Sequence, residues 1–133
     1  MAVVFIAIGS RGDAQPVAVL AGELVRRGID AKVVVLAEYA GLIKQLGAEP
    51  VAVAGSVLEA TGPIGTRLGR TAIRFRAGQG LVLHNWLRQV ADAAAEAIDS
   101  AVTPGDTVIS TILTHDVAAG LAAHRDARAA TIL

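Results

Sequence analysis

The sequence contains no cysteine, and this absence excludes disulfide bonds and every metal site built on thiolates. The other metal-binding residue types lack the required spacing, because the chain has no HxxxH motif and no cluster of carboxylates. We therefore expect no bound metal ion. A chain without cysteine also carries no signal about the redox state of its compartment.

Aromatic residues are nearly absent as well, at 3% of the chain. With so few rings, a platform on which bases or sugars stack is difficult to build, so a ligand would be held mainly by polar contacts. An excess of one charge is also missing, since twelve basic and twelve acidic residues give a formal net charge of zero. This balance argues against a nucleic-acid or membrane partner bound through bulk charge.

Long hydrophobic segments are missing too, because no apolar stretch approaches the ~20 residues of a membrane span. The amino terminus lacks the basic start and the cleavage pattern of a signal peptide. We therefore expect a cytoplasmic protein. At 133 residues and 53% hydrophobic composition, the chain is predicted to fold as one globular domain over residues 1–133.

The clearest local signals lie at the amino terminus. Residues 2–8 form an unbroken apolar run rich in valine and isoleucine, which is typical of a strand buried on both faces. Gly9 ends that run, and Pro16 suits the first position of a helix because no N–H is needed there. The pattern therefore predicts a loop over Gly9–Gln15 and a helix over Val17–Arg27.

The same alternation continues along the chain. Periodicity predicts further strands over 31–36, 49–53, 107–110 and 128–133, and helices over 38–46, 81–101 and 115–124. Gly28 and Gly47 stand where left-handed caps would end the first two helices, and Thr114 stands where it can cap the last one. Right-handed connections then give an α/β, Rossmann-like parallel sheet in the order 3-2-1-4-5, with helices on both faces.

This strand order locates a candidate site. The direction of winding reverses between the first and fourth strands, and in such sheets ligands bind in the crevice beyond the carboxyl ends of the strands. The loops that meet there are Gly9–Gln15 and Ser110–Asp116. They are predicted to bring together the polar residues Ser10, Asp13, Thr111, Thr114, His115 and Asp116.

The segment Gly9–Pro16, with the sequence GSRGDAQP, adds a family resemblance. It resembles the GSRGDxQP signature that opens the amino-terminal domain of nucleotide-sugar glycosyltransferases with the two-domain GT-B fold. The resemblance is closest to the branch that glycosylates natural-product aglycones, and sterol glucosyltransferases share it. It implies the acceptor-binding half of an inverting glycosyltransferase, with a TDP- or UDP-sugar as donor and a hydrophobic aglycone as acceptor.

The resemblance also implies roles for individual residues. At the position of Asp13 the family carries its general base, which is His in many members and Asp in this branch. His115 is a second catalytic candidate, with Asp13 orienting it or Asp116 assisting it. The acceptor site would be lined by Ser10, Arg11, Gly12, Thr111, Thr114, Asp116 and His84.

Structural roles for the same residues stay open at this point. Asp13 could simply close its turn by binding backbone N–H groups. His115 could be an ordinary surface or core histidine, and Asp116 could merely complement the dipole of the helix that it begins.

The region from Ala54 to Gly80 lacks regular periodicity, because glycines recur through it. Its arginines, from Arg67 to Arg76, have no acidic residue among them. Loops of this length in compact domains are usually functional or mobile. The resemblance places the segment beside the acceptor cleft, while a solvated basic loop and a membrane-facing patch are the alternatives.

The resemblance also bears on domain organisation. GT-B enzymes bind the nucleotide sugar chiefly through a carboxyl-terminal domain, and no motif of that domain occurs in this sequence, which stops within its last predicted strand. We therefore expect this chain to need no cofactor, to bind an acceptor and, alone, to be inactive. A non-catalytic assembly subunit that docks on a separate donor-binding chain is the alternative.

A dinucleotide-binding domain is another alternative. Gly9 and Gly12 follow a strand, and Glu38 lies near the end of the second strand, where a ribose-binding acid would stand. However, Arg11 replaces the glycine that lets backbone approach the pyrophosphate, and Asp13 would place a negative charge beside it. The residues therefore favour the glycosyltransferase.

Overall fold

In the computed structural model the described residues are 1–56 and 76–132. They form one parallel sheet of five strands in the order β3-β2-β1-β4-β5, which confirms the predicted fold class and strand order. The strands are β1 (Val3–Ala7), β2 (Ala31–Leu36), β3 (Glu49–Val53), β4 (Thr107–Thr111) and β5 (Arg128–Ile132). The helices are α1 (Arg11–Arg26), α2 (Ala40–Gln45), α3 (Arg76–Ala101) and α4 (His115–His124), with short 3-10 turns at Ala37–Tyr39 and Ile112–Thr114.

The sheet separates two hydrophobic cores, because successive side chains of a strand point to opposite faces. On one face, Phe5 and Ala7 of β1 pack with α1 and α2. On the other, Val4 and Ile6 pack with α3 and α4. The unbroken apolar run at the amino terminus is therefore explained by burial on both faces, as predicted for a parallel sheet covered by helices.

Helix α1 begins six residues before the predicted start at Val17, so the prediction of a loop over Gly9–Gln15 is wrong. Ser10 is the N-cap, and Ser10 and Asp13 form a capping box. These bonds satisfy N–H groups that the first turn leaves without helical partners, which is sufficient to start the helix here. The helix continues through Pro16, although its ring nitrogen cannot donate to the Gly12 carbonyl.

Helix α3 also begins earlier than predicted, at Arg76 rather than Leu81. The prediction treated Gly78 and Gly80 as breaks, but glycine in a helix costs only about 1 kcal/mol and a long helix tolerates it. His84 therefore lies in the third turn and not in the first. The remainder of the predicted loop, residues 57–75, lies outside the described residues.

Other helix ends agree with the predictions. Gly28 and Gly47 follow α1 and α2 with φ values of 79° and 89°, the left-handed conformation expected of them. On α3, Val90, Ala94 and Ile98 are spaced four residues apart and are buried, as expected of one face of a helix.

A buried carboxylate connects the start of the sheet to the turn before β4. Asp106 is 3% exposed, and its Oδ1 accepts from the Ala2 N–H at 2.8 Å. Its Oδ2 accepts from the N–H and the hydroxyl of Thr103 at 2.9 and 2.7 Å. Burial by itself would raise the pKa of Asp106, but these hydrogen bonds and the nearby amino terminus outweigh it, so the pKa lies below its usual value.

Replacement of this carboxylate is expected to destabilise the fold. Asp106→Ala leaves the Ala2 and Thr103 N–H groups unpaired, and we expect a loss of roughly 2–4 kcal/mol in the free energy of unfolding at neutral pH. Because the folded pKa is depressed, this contribution is present above the unfolded value of ~3.9 and disappears as the pH falls through the folded value. Urea unfolding at several pH values measures it. The exposed Asp30→Ala is the control, and an equal effect of both variants would contradict the assignment.

Two helical glycines provide a matched test of packing. A Cβ on Gly22 of α1 would lie 2.6 Å from the Leu46 carbonyl oxygen, whereas a Cβ on Gly120 of α4 meets nothing within 4 Å. Gly22→Ala should therefore cost roughly 1–3 kcal/mol through overpacking. Gly120→Ala should gain about 0.5–1 kcal/mol, because alanine loses less backbone entropy in a helix. Thermal unfolding of the two variants distinguishes them, and shifts of the same sign would contradict this packing.

Candidate functional site

The candidate site begins at the amino-terminal end of α1, directly beyond β1. The Asp13 carboxylate folds back on the N-cap, where its Oδ2 accepts from the Ser10 N–H at 2.9 Å and from the Ser10 hydroxyl at 3.1 Å. Ser10 Oγ in turn accepts from the Gly12 N–H at 3.2 Å. Within the described ranges, 1–56 and 76–132, no hydrogen bond reaches the second oxygen of Asp13, Oδ1. The carboxylate is thus fixed through one oxygen only.

Gly9 makes this position of the carboxylate sterically feasible. A Cβ at Gly9 would lie 2.4 Å from Oδ2 of Asp13. Any other residue would push the carboxylate off the end of β1. The first glycine of the GSRGDAQP segment is therefore explained by the place of its aspartate.

Thr114 and Thr111 lie on the neighbouring segment, after β4, and both are buried. The Thr114 hydroxyl lies 3.2 Å from the Ile6 carbonyl of β1 and 3.2 Å from the Thr111 carbonyl, and it shares its one proton between these two acceptors. Its prediction as a helix cap is wrong, since it occupies the N-cap position of α4 but makes no capping bond. Thr114 instead fastens the end of β4 to β1.

His115, the first residue of α4, contacts the edge strand. Its Nδ1 forms a short hydrogen bond with the Thr131 hydroxyl of β5. Thr131 Oγ1 also lies 3.3 Å from the hydroxyl of Ser110, the residue paired with it across β4 and β5. His115 is exposed, while Ser110 is buried.

Asp13 and His115 begin helices that cover opposite faces of the sheet. The carboxylate is directed to Ser10 and the imidazole to Thr131. No hydrogen bond or ion pair joins the two side chains in the part of the chain that the structure describes. The hypothesis that Asp13 orients His115 therefore finds no contact here, and Thr131 holds the imidazole instead.

The remaining predicted residues lie further apart. Asp116 lines a groove of about 350 Å³ between α3 and α4, together with apolar residues and His124. His84 is exposed on α3. Arg11 and Gly12 are exposed in the first turn of α1, beside Ser10. The structure therefore brings together Ser10, Arg11, Gly12 and Asp13, and separately Thr111 and Thr114, while Asp116 turns to the groove.

Tyr39 is a residue at this edge that the sequence analysis did not select. It packs against both hydrophobic cores where β2 ends, and its hydroxyl lies near the backbone of Arg11. Burial raises the pKa of Tyr39 and the adjacent Glu38 carboxylate raises it further, whereas Arg11 opposes both. Tyr39 therefore places its phenol hydroxyl at the start of α1. Its place directly after a buried strand was the signal that could have identified it.

Ser110 and Thr131 were overlooked as partners of His115. Thr131 is a polar residue near the carboxyl end of β5, where it follows two alanines, and that position is its only signal in the sequence. The pairing register of β4 and β5 then places it beside Ser110. Among the described residues, no group of three or more His, Cys, Asp or Glu residues could hold a metal ion, and no helix is long and apolar enough to span a membrane.

The capping box predicts a defined loss of stability. Ser10→Ala removes the acceptor of the Gly12 N–H and one donor to Asp13, and we expect the free energy of unfolding to fall by about 1 kcal/mol. Ser100→Ala, at an exposed hydroxyl near the end of α3, is the control and should change stability by less than about 0.5 kcal/mol. Chemical unfolding compares them, and a Ser10→Ala variant as stable as the native chain would exclude the capping role.

Comparison with solved structures identifies proteins of the same fold. The chain is similar to CalG4, the calicheamicin glycosyltransferase, with a TM-score of 0.73 and 22% sequence identity over 98% of this chain and 32% of that chain. It is also similar to the glycosyltransferase of kitacinnamycin, with a TM-score of 0.57 and 18% identity over 97% of this chain and 29% of that chain. The chain thus spans about a third of the length of these proteins. No protein-family model and no curated protein sequence matches it.

Proposed function

We propose that this chain is the acceptor-binding half of an inverting glycosyltransferase that transfers a sugar from a nucleoside diphosphate to a hydroxyl group of a natural-product aglycone. The observation that carries the proposal is the fold likeness to the calicheamicin glycosyltransferase over 98% of this chain. The GSRGDAQP segment supports it independently, because it lies at the exposed amino-terminal end of α1, directly beyond β1. The proposed acceptor is small and hydrophobic, in keeping with the chain's zero net charge.

The proposed base is Asp13, acting through Oδ1. Oδ1 takes the proton of the acceptor hydroxyl as the acceptor oxygen forms a bond to the anomeric carbon. The bond from that carbon to the diphosphate breaks on the opposite face, and the electron pair leaves with the nucleoside diphosphate. Fixing the carboxylate through Oδ2 is useful here, because a base must be held within hydrogen-bond distance of the proton that it removes.

The donor is proposed to be a TDP- or UDP-sugar bound mainly by a carboxyl-terminal domain, with no further cofactor. Under this proposal the 133-residue chain binds the acceptor but does not transfer sugar by itself, in a cytoplasmic setting. Sugar transfer by the isolated chain would contradict the proposal that a separate domain binds the donor. Ser10, Arg11 and Gly12 form the acceptor side of the site at the start of α1.

The test of the base is Asp13→Asn in a full-length enzyme that supplies the donor-binding domain. Asparagine keeps the shape of the side chain and an oxygen that accepts from the Ser10 N–H, so the first turn of α1 should persist. It removes the basic oxygen, and we expect kcat to fall by roughly 10²–10⁴-fold with acceptor binding nearly intact. Steady-state kinetics and acceptor titration measure the two effects.

The matched control is Asp30→Asn, at an exposed carboxylate before β2 and hence at the opposite, amino-terminal edge of the sheet. It should leave transfer unchanged. Retained turnover of Asp13→Asn would refute the assignment of the base.

Dinucleotide binding is the second candidate, favoured by one observation. Glu38 is exposed immediately beyond β2 and accepts from the Ser56 hydroxyl at 3.3 Å, at the edge where a ribose-binding acid would stand. Titration with NAD(H) separates the candidates. Saturable binding that Glu38→Gln removes would favour the dinucleotide.

A further inference from the structure

The hydroxyl groups of Ser110 and Thr131 connect His115 to the sheet through a chain of hydrogen bonds. Val108 and Ser110 alternate with Ile109 along β4, so Ser110 faces α3 and α4. The register pairs Ser110 with Thr131, which places both hydroxyls on that face beneath His115. The sequence of contacts runs from the Ala130 carbonyl to Ser110, then to Thr131, and then to His115 Nδ1.

The direction of these bonds follows from counting protons. A carbonyl oxygen only accepts, so the contact of 3.5 Å between Ser110 Oγ and the Ala130 oxygen is favourable only when Ser110 donates. Ser110 is 1% exposed and has a single proton, so it must then accept from Thr131. Thr131 has likewise used its proton, and it must accept from Nδ1 of His115.

The opposite direction satisfies fewer groups. If Thr131 donated to His115, Ser110 would have to donate to Thr131 and would face the Ala130 carbonyl with a lone pair. That arrangement loses one bond of the three, because Ser110 can then no longer donate to the Ala130 carbonyl. The position of the proton on a histidine is set by the hydrogen bond made by its ring nitrogens.

We propose that Thr131 and Ser110 are positioning residues that hold neutral His115 in the tautomer protonated at Nδ1, so that Nε2 is presented as a hydrogen-bond acceptor for a hydroxyl group of the bound ligand. His115 is exposed, and none of the described residues bonds its Nε2. The ligand part of this inference rests on the proposed function, because an aglycone hydroxyl is the donor that Nε2 would meet. The tautomer itself does not depend on that function.

The tautomer is measured directly by long-range ¹H–¹⁵N correlation spectra of the labelled chain at pH ~8.5, where an ordinary imidazole with a pKa of ~6.5 is neutral. For His115 we expect Nδ1 to resonate in the protonated range and Nε2 in the unprotonated range. His84 and His124 are exposed and have no hydrogen bond to other described residues, so they should show the Nε2-protonated form usual in water. His115 in that usual form would overturn the proposal.

Three variants test the direction of the chain. Ser110→Ala deprives the Thr131 hydroxyl of its acceptor and lets it donate to Nδ1, so the His115 proton should move to Nε2. Thr131→Val should shift the same equilibrium by removing the acceptor of Nδ1. Thr131→Ser keeps a hydroxyl at this position, so His115 in this variant should show the same tautomer as in the native chain. If neither Ser110→Ala nor Thr131→Val changes the tautomer of His115, the proposed roles are refuted. A loss of packing alone would not move the proton from Nδ1 to Nε2.

The ligand part is tested in the same full-length enzyme as Asp13→Asn. Thr131→Val should lower kcat/KM for the acceptor by roughly tenfold, the size of one net hydrogen bond, and Thr131→Ser should recover it. Unchanged kinetics of Thr131→Val would overturn the role of Nε2. The spectra need neither donor nor acceptor, so their result remains valid if the proposed function is wrong. If His115 instead shows the Nε2-protonated tautomer, the test of Asp13 is unaffected.

Discussion

The central position of β1 constrains the rest of the structure. It pairs with β2 on one side and with β4 on the other, and helices cover both of its faces. The last backbone polar groups of a strand buried in this way need partners. The chain therefore passes within three residues from β1 into α1, while Thr114 returns from the end of β4 to bind the Ile6 carbonyl. The early start of α1 and the Thr114 hydrogen bond both pair polar groups at this end of the sheet, and both place polar side chains there.

Much of this arrangement was predictable from the sequence. Apolar runs and their spacing predicted the strands, and the alternation of strands with helices predicted their order, because both follow from local periodicity and from the handedness of βαβ connections. The start of α1 was mispredicted because two signals conflicted. Pro16 suggested a first helical position, but the reciprocal bonds of Ser10 and Asp13 begin the helix earlier. A serine followed three residues later by an aspartate was the signal in the sequence for this earlier start.

The partners of the site residues were not predictable in the same way. The bond between His115 and Thr131 depends on the register of β4 against β5, and the contact of Arg11 with Tyr39 depends on how α1 lies over β2. Such contacts join segments that are distant in sequence, so no local pattern encodes them. Topology predicts which edge a residue reaches, and packing decides which neighbour it meets there.

Asp13 combines two uses that are normally separated. Through Oδ2 it completes the first turn of α1, and through Oδ1 it is available for the proposed chemistry. The interaction that begins the helix is therefore also the one that positions the proposed base. A carboxylate held in this way loses little side-chain entropy when a ligand binds, because that entropy has already been lost on folding.

The close contact at Gly22 gives the far end of α1 influence over this site. Gly22 lies nine residues after Asp13, roughly 13 Å along the helix axis, where the helix backbone passes against the Leu46 carbonyl with no space for a methyl group. A rigid helix transmits a displacement at one end to the other. Substitutions on the buried side of α1 should therefore shift the start of the helix, and with it the carboxylate that we propose as the base.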